Sequence, residues 1–113
     1  MIKIYHNPRC TKSRQGLALL EAAKVSFETI KYLDTPVTKA ELEAIIDKLN
    51  ITPIQLVRKN EAIWKEQFKG KELSDDTIIA AMLEFPKLME RPIVVNGNKA
   101  VIGRPTENIA EII

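Results

Sequence analysis

The sequence holds one cysteine, one histidine and one tryptophan, and these scarcities exclude much. A lone cysteine, Cys10, forms no internal disulfide. Disulfide chemistry must therefore borrow a thiol from another molecule, and a reducing compartment fits. Cys10 and His6, four positions apart, are too few ligands for a structural zinc site, so no metal and no bound cofactor is expected. No apolar run approaches membrane-spanning length. Met1 to Tyr5 is followed at once by polar His6-Asn7-Pro8-Arg9, which leaves no room for the apolar core of a signal peptide. A cytoplasmic protein with no membrane partner is expected. An excess of one charge is also lacking: 17 basic against 15 acidic side chains give a net charge of +2. That balance is too even for a general nucleic-acid footprint, and no nucleic-acid partner is expected. An anion site made of a few placed arginines stays open.

What is present suits a packed α/β domain. Of 113 residues 45% are apolar, enough for a core, and 28% are charged, enough for a solvated surface. Ile2 to Tyr5 reads as a strand ended by Asn7-Pro8. A helix follows from about Thr11 to Lys24, with Leu17, Leu20 and Ala23 at helical spacing. Gly16 is a weak point in it, compatible with close packing. Phe27 to Tyr32 reads as a second strand. Thr38-Lys39-Ala40-Glu41 has the form of a capping box, opening a helix whose Leu42, Ile45, Ile46 and Leu49 share a face. Thr52-Pro53 starts a short helix through Val57, and Trp64 with Phe68 suggests a helical turn. Ser74 caps another helix, with Ile78, Ile79, Met82 and Leu83 inward, stopping near Phe85 before Pro86. Ile93 to Val95 and Ala100 to Ile102 are strands joined around Asn96-Gly97, a hairpin signal. Thr106 to Ile113 reads as a last helix. The order βαβ, helical block, ββα is the plan of a thioredoxin-like (glutaredoxin-like) domain with a mixed four-stranded sheet. It spans 1–113, with a helical insertion over about 35–90.

The chemistry concentrates where strand one meets helix one, at His6-Asn7-Pro8-Arg9-Cys10-Thr11-Lys12-Ser13-Arg14. A helix start presents unpaired backbone amides, and their partial positive charge favours an anion. A thiolate is such an anion, and Arg9, Lys12 and Arg14 add positive charge nearby in sequence. Each effect lowers the thiol pKa and favours the nucleophilic form. A small buried cysteine is the plain alternative, but polar and basic neighbours on both sides argue for the reactive one. His6 either tunes the thiol through a hydrogen-bond network or is a half-buried residue at a strand end; the sequence leaves both open. Ser13 stands where dithiol oxidoreductases carry a second cysteine. Turnover must then wait for an outside thiol.

With these residues in hand, the sequence resembles the ArsC-type arsenate reductases of the glutathione/glutaredoxin-linked class. His6-Asn7-Pro8 with Cys10, and Ser13-Arg14, resemble the family's reactive loop. Leu56-Val57-Arg58-Lys59-Asn60, Arg91-Pro92-Ile93-Val94-Val95 and Gly103-Arg104-Pro105-Thr106-Glu107 resemble three further signatures, in order and with matching separations. The resemblance implies an oxidoreductase in which Cys10, assisted by His6, attacks arsenate to form a thiol–arsenate adduct. External glutathione resolves the adduct and glutaredoxin completes the reduction to arsenite. It assigns oxyanion binding to Arg58, Arg91 and Arg104, and arginine's planar fork suits a tetrahedral oxyanion. Asn7, Thr11, Ser13, Arg14 and Pro92 would support the loop, with Pro92 in the cis form beside the cysteine. A monomer is expected.

The chain departs from well-studied members at Arg9 and Lys12, where those have small or uncharged residues. It ends at Ile113, where many continue. Two other functions compete: an arsenate-independent thiol oxidoreductase, and a non-catalytic Spx-like regulator that binds RNA polymerase. Spx-like proteins carry a paired-cysteine switch that Ser13 removes.

Overall fold

A computed structural model describes all of residues 1–113. The chain divides into two compact units, one formed by Met1–Thr35 with Arg91–Ile113 and the other by Pro36–Glu90.

The first unit is built on a four-stranded mixed sheet with strand order β2-β1-β3-β4. Strand β1 (Ile2–Tyr5) leads through α1 (Thr11–Ala22) to β2 (Phe27–Ile30). Residues Ile2 to Tyr5 pair in parallel with Phe27 to Ile30. Strand β3 (Ile93–Asn96) lies antiparallel on the other side of β1, and β4 (Lys99–Ile102) closes the edge. The β-branched run of β3 is buried on both faces, as a central strand should be. Ile4, Leu20, Val94 and Ile109 are fully buried together, with Leu17, Leu19, Phe27 and Val101 packed on them. Burying each such aliphatic side chain stabilises the fold by roughly 1.5–3 kcal/mol.

The second unit is helical. Helix α2 (Lys39–Leu49) opens on the capping box expected from sequence: Glu41 N–H donates to Thr38 Oγ1 and Thr38 N–H to Glu41 Oε1. It ends on Asn50 in the left-handed region. Leu42, Ile45 and Ile46 are its buried face. Helix α3 (Ala62–Gln67) places Trp64 over Phe68, ring centroids 5.2 Å apart, and Phe68 meets Phe85 edge-on at 6.3 Å. Helix α4 (Asp75–Glu84) is capped by Ser74, whose Oγ accepts from Thr77 N–H, and packs on α2. Ile78, Ile79, Ala81 and Met82 are its buried residues, while Leu83 is only half-buried.

Several boundaries differ from the sequence reading. Strand β2 stops at Ile30, because Lys31 O accepts from both Asp34 and Thr35 N–H and turns the chain there. Asn96 belongs to β3 and pairs with Lys99, so the turn residues are Gly97 and Asn98. Of these two residues only Gly97 has positive φ, +62°, which suits a turn with glycine at its first central position. The segment after Pro86 is a short 3-10 turn, Pro86–Leu88, which periodicity did not reveal. The Pro53–Leu56 segment and the C-terminal Thr106–Glu111 segment are also 3-10 helices, a geometry natural to pieces this short. The last is tied down by Asn96 Nδ2, which donates to Ile112 O at 2.6 Å. No helix is long and apolar enough to cross a membrane.

Candidate active site

Cys10 is the N-cap residue of α1, extended at φ −96°, ψ 122°. Its amide donates back to Asn7 O at 3.0 Å. The loop holds itself in this shape with its own polar groups. Arg9 N–H donates to Asn7 Oδ1 at 3.0 Å, and Asn7 N–H donates to Ser13 Oγ at 2.9 Å. Arg14 reaches back across the loop, donating to Pro8 O and Thr11 Oγ1, both at 3.2 Å.

No side-chain oxygen caps α1, and its first turn has no acidic residue. The sulfur occupies the place a capping oxygen would take. Cys10 is only 9% exposed, and burial by itself pushes the thiol pKa up. Four influences outweigh it: the Ser13 amide, a hydrogen bond from the Arg91 side chain, the Arg91 charge and the Lys12 amide. The net pKa lies below the ordinary thiol value, so the thiolate gains population at neutral pH. Arg104 Nη2 also donates to Sγ, at 3.6 Å, while its Nε donates to Arg91 O at 2.8 Å. Arg104 is thus braced on the Arg91 backbone while both side chains interact with the sulfur. Arg91 Nε is buried with no hydrogen-bond partner, a donor held ready for an acceptor.

The loop cations that the sequence suggested act differently. Arg14 clamps the loop, Lys12 helps through its backbone amide, and Arg9 faces a pocket away from the sulfur. The side-chain charge on the thiolate comes from Arg91, far along the chain, which the residues next to Cys10 do not reveal.

His6 is fully enclosed, 4% exposed, and its amide extends the β1–β2 pairing by donating to Ile30 O at 2.8 Å. Its Nδ1 shares a 2.7 Å hydrogen bond with Ser13 Oγ. Burial, then the Lys31 charge, lower its pKa, with Arg14 adding a little and the Ser13 backbone opposing. The ring is therefore neutral at pH 7. A neutral ring is satisfied here when the Ser13 hydroxyl donates to Nδ1. Ser13, completely buried, then links His6 and Asn7 through its hydroxyl and Cys10 through its amide. His6 is thus a buried residue at the end of β1, hydrogen-bonded to Ser13, and it is not among the groups that shift the Cys10 pKa.

Pro92 follows a cis Arg91–Pro92 peptide, as the resemblance implied, and Arg104–Pro105 is also cis. The Pro92 ring is gripped from two sides. A Cβ placed on Gly16 of α1 would lie 2.9 Å from Pro92 Cγ, and one on Gly103 would lie 2.8 Å from the same atom. Gly16 was legible as a packing glycine, whereas Gly103 read only as a turn residue. Both arginines at the sulfur are thereby positioned by one contact, since Arg91 precedes Pro92 and Arg104 follows Gly103. Arg58 belongs to the second unit. Its amide donates to Leu88 O at 2.7 Å, and its Nη1 is buried with no hydrogen-bond partner.

Comparison with known proteins finds relatives along nearly the whole chain. The ArsC family profile covers residues 5–112. An arsenate reductase of Neisseria meningitidis serogroup A is 42% identical, over 99% of this chain and 97% of its own. The Escherichia coli protein YfgD, uncharacterised, is 46% identical over 99% and 96%. The solved arsenate reductase of Vibrio cholerae superposes with a TM-score of 0.94 at 45% identity, covering 99% of this chain and 97% of its own.

Proposed function

The chain belongs to the ArsC family, and from that premise we propose that it reduces arsenate to arsenite by way of Cys10, with electrons from external thiols. The observation that carries this reading is the pair of guanidinium groups at one thiolate: Arg91 bonded to Sγ and Arg104 donating to it from 3.6 Å. A thiolate needs one cation at most. A second, together with the unpartnered Arg91 Nε, is what a multiply charged tetrahedral oxyanion requires.

In this reading the arginines draw arsenate to the sulfur and hold its oxygens while the Cys10 thiolate attacks arsenic. A sulfur–arsenic bond forms, and one arsenate oxygen leaves as water after taking up two protons. Ser13 and Lys12 amides hold the nucleophile, and the neutral His6 with Ser13 holds the loop. Two external thiols then supply two electrons and two protons: they end as one disulfide, and arsenic leaves as arsenite with the cysteine restored. The balance is arsenate plus two thiols giving arsenite, disulfide and water. Glutathione, with glutaredoxin completing the reduction, fits the donor role because Ser13 leaves no internal thiol to close the cycle. Arg58 carries the oxyanion assignment from the resemblance alone.

The test is stoichiometry. Arsenate supplied with glutathione and glutaredoxin should yield one disulfide per arsenite formed. Thiol oxidation of an added mixed disulfide without any dependence on arsenate would instead support the thiol oxidoreductase reading. Capture of RNA polymerase with no turnover would support the regulator.

A further inference from the structure

The parallel strands β1 and β2 end level with one another, at Tyr5 and Ile30. The residues that follow them enclose a pocket of about 290 Å³. One wall is the loop from His6 to Arg9; the other is Lys31, Leu33 and Asp34. Open α/β sheets bind ligands in the crevice beyond the carboxyl ends of their strands, and the pocket occupies that position. Cys10 does not line it, so it is distinct from the thiolate–arginine cluster. It shares a wall with that cluster all the same: the Asn7 carbonyl accepts from Cys10 N–H at 3.0 Å.

We infer that this pocket docks the thiol co-substrate, an amino-acid-derived thiol whose carboxylate lies against Arg9 and Lys31 and whose ammonium faces Asp34. The inference rests on the reading that an external small thiol resolves Cys10. Two cations and one anion, with Pro8 and Leu33 between them, complement a zwitterion that also has an apolar stem. A bare oxyanion matches worse, because Asp34 repels it and it leaves Pro8 and Leu33 uncovered. The volume lies at the small end of ligand pockets, about 300–1,000 Å³, which suits a small thiol. The walls are formed in advance. Asn7 Oδ1 fixes the Arg9 backbone at 3.0 Å, and Lys31 O accepts from Asp34 and Thr35 N–H at 3.0 and 2.8 Å. The charge of Lys31 also reaches across to His6, where it is the largest influence after burial.

The probe is S-methylglutathione, which keeps the charges of glutathione and has no reactive thiol. It should shift the amide resonances of residues 6–9 and 31–34 in the wild-type chain, and Lys31→Glu should remove the shifts while circular dichroism shows the fold intact. In arsenate turnover, Lys31→Glu should raise the KM for glutathione by roughly tenfold, since a reversed charge replaces an attraction with a repulsion. Asp34→Asn should show a smaller rise. Normal turnover with an unchanged KM in both variants, and no shifts at these loops, overturns the docking site while the arsenate reaction stands. Shifts that Lys31→Glu removes, in a protein with no arsenate turnover, support the docking site and remove the arsenate reaction.

Discussion

Replacing Gly103 with alanine tests how the fold positions the site. The new Cβ would lie 2.8 Å from Pro92 Cγ and 3.0 Å from Ile109 Cδ1, where ordinary contact begins at 3.4 Å. Ile109 Cδ1 is a flexible tip, but its residue is fully buried. Pro92 Cγ is part of a closed ring that is also packed close to Gly16, where an added Cβ would come within 2.9 Å of it. The backbone must move instead. Overpacking of this kind costs about 1–3 kcal/mol, which for a chain of this size lowers Tm by roughly 4–12 °C. The movement separates Arg91 and Arg104, which flank the contact, from the sulfur. The thiolate then loses part of its support and its pKa rises. Thermal unfolding gives the first effect, and the pH dependence of Cys10 alkylation gives the second. Gly16→Ala meets the same ring but gains about 1 kcal/mol of helix propensity, so its net cost is smaller. A Gly103→Ala protein with wild-type Tm and a wild-type alkylation profile would refute the account of how these arginines are held.

Arg91→Ala removes a charge-assisted hydrogen bond worth roughly 1.5–3 kcal/mol, so the Cys10 pKa should rise in an alkylation profile; no movement would assign the thiolate to the backbone amides and Arg104. Ser13→Ala leaves Asn7 N–H and His6 Nδ1 without their common partner and should destabilise by about 1–3 kcal/mol, read by denaturant unfolding. Because the His6 pKa is depressed in the folded protein, its contribution is complete above the unfolded value of about 6.5 and is lost as the pH falls below it. Stability should therefore drop more steeply toward acid in wild type than in His6→Gln. Thr38→Ala should cost about 1 kcal/mol through the lost cap with arsenate turnover unchanged, since that cap lies in the helical unit.

The features legible in sequence were those that local chemistry dictates. The capping box at Thr38, the Ser74 cap, the hairpin and the loop leading to Cys10 each depend on residues a few positions apart. Helix ends were read less well. The segment from Thr106 has apolar residues at helical spacing yet forms a 3-10 helix over Thr106–Glu111, and spacing over so few residues does not separate the two geometries. The charge at the sulfur was assigned to loop neighbours because proximity in sequence stood in for proximity in space. The structure gives that work to Arg91 and Arg104, which lie just before β3 and just after β4. The family signatures marked both arginines, but only the fold shows that Pro92, wedged between Gly16 and Gly103, places them.

The most direct test of the central claim couples arsenate to NADPH oxidation through glutathione, glutathione reductase and glutaredoxin, comparing wild type with Cys10→Ser. The account predicts arsenate-dependent oxidation by wild type and none by the variant, whose hydroxyl is a far weaker nucleophile at neutral pH. Equal arsenate-dependent rates in the two proteins, or no arsenate-dependent rate in wild type, would contradict it.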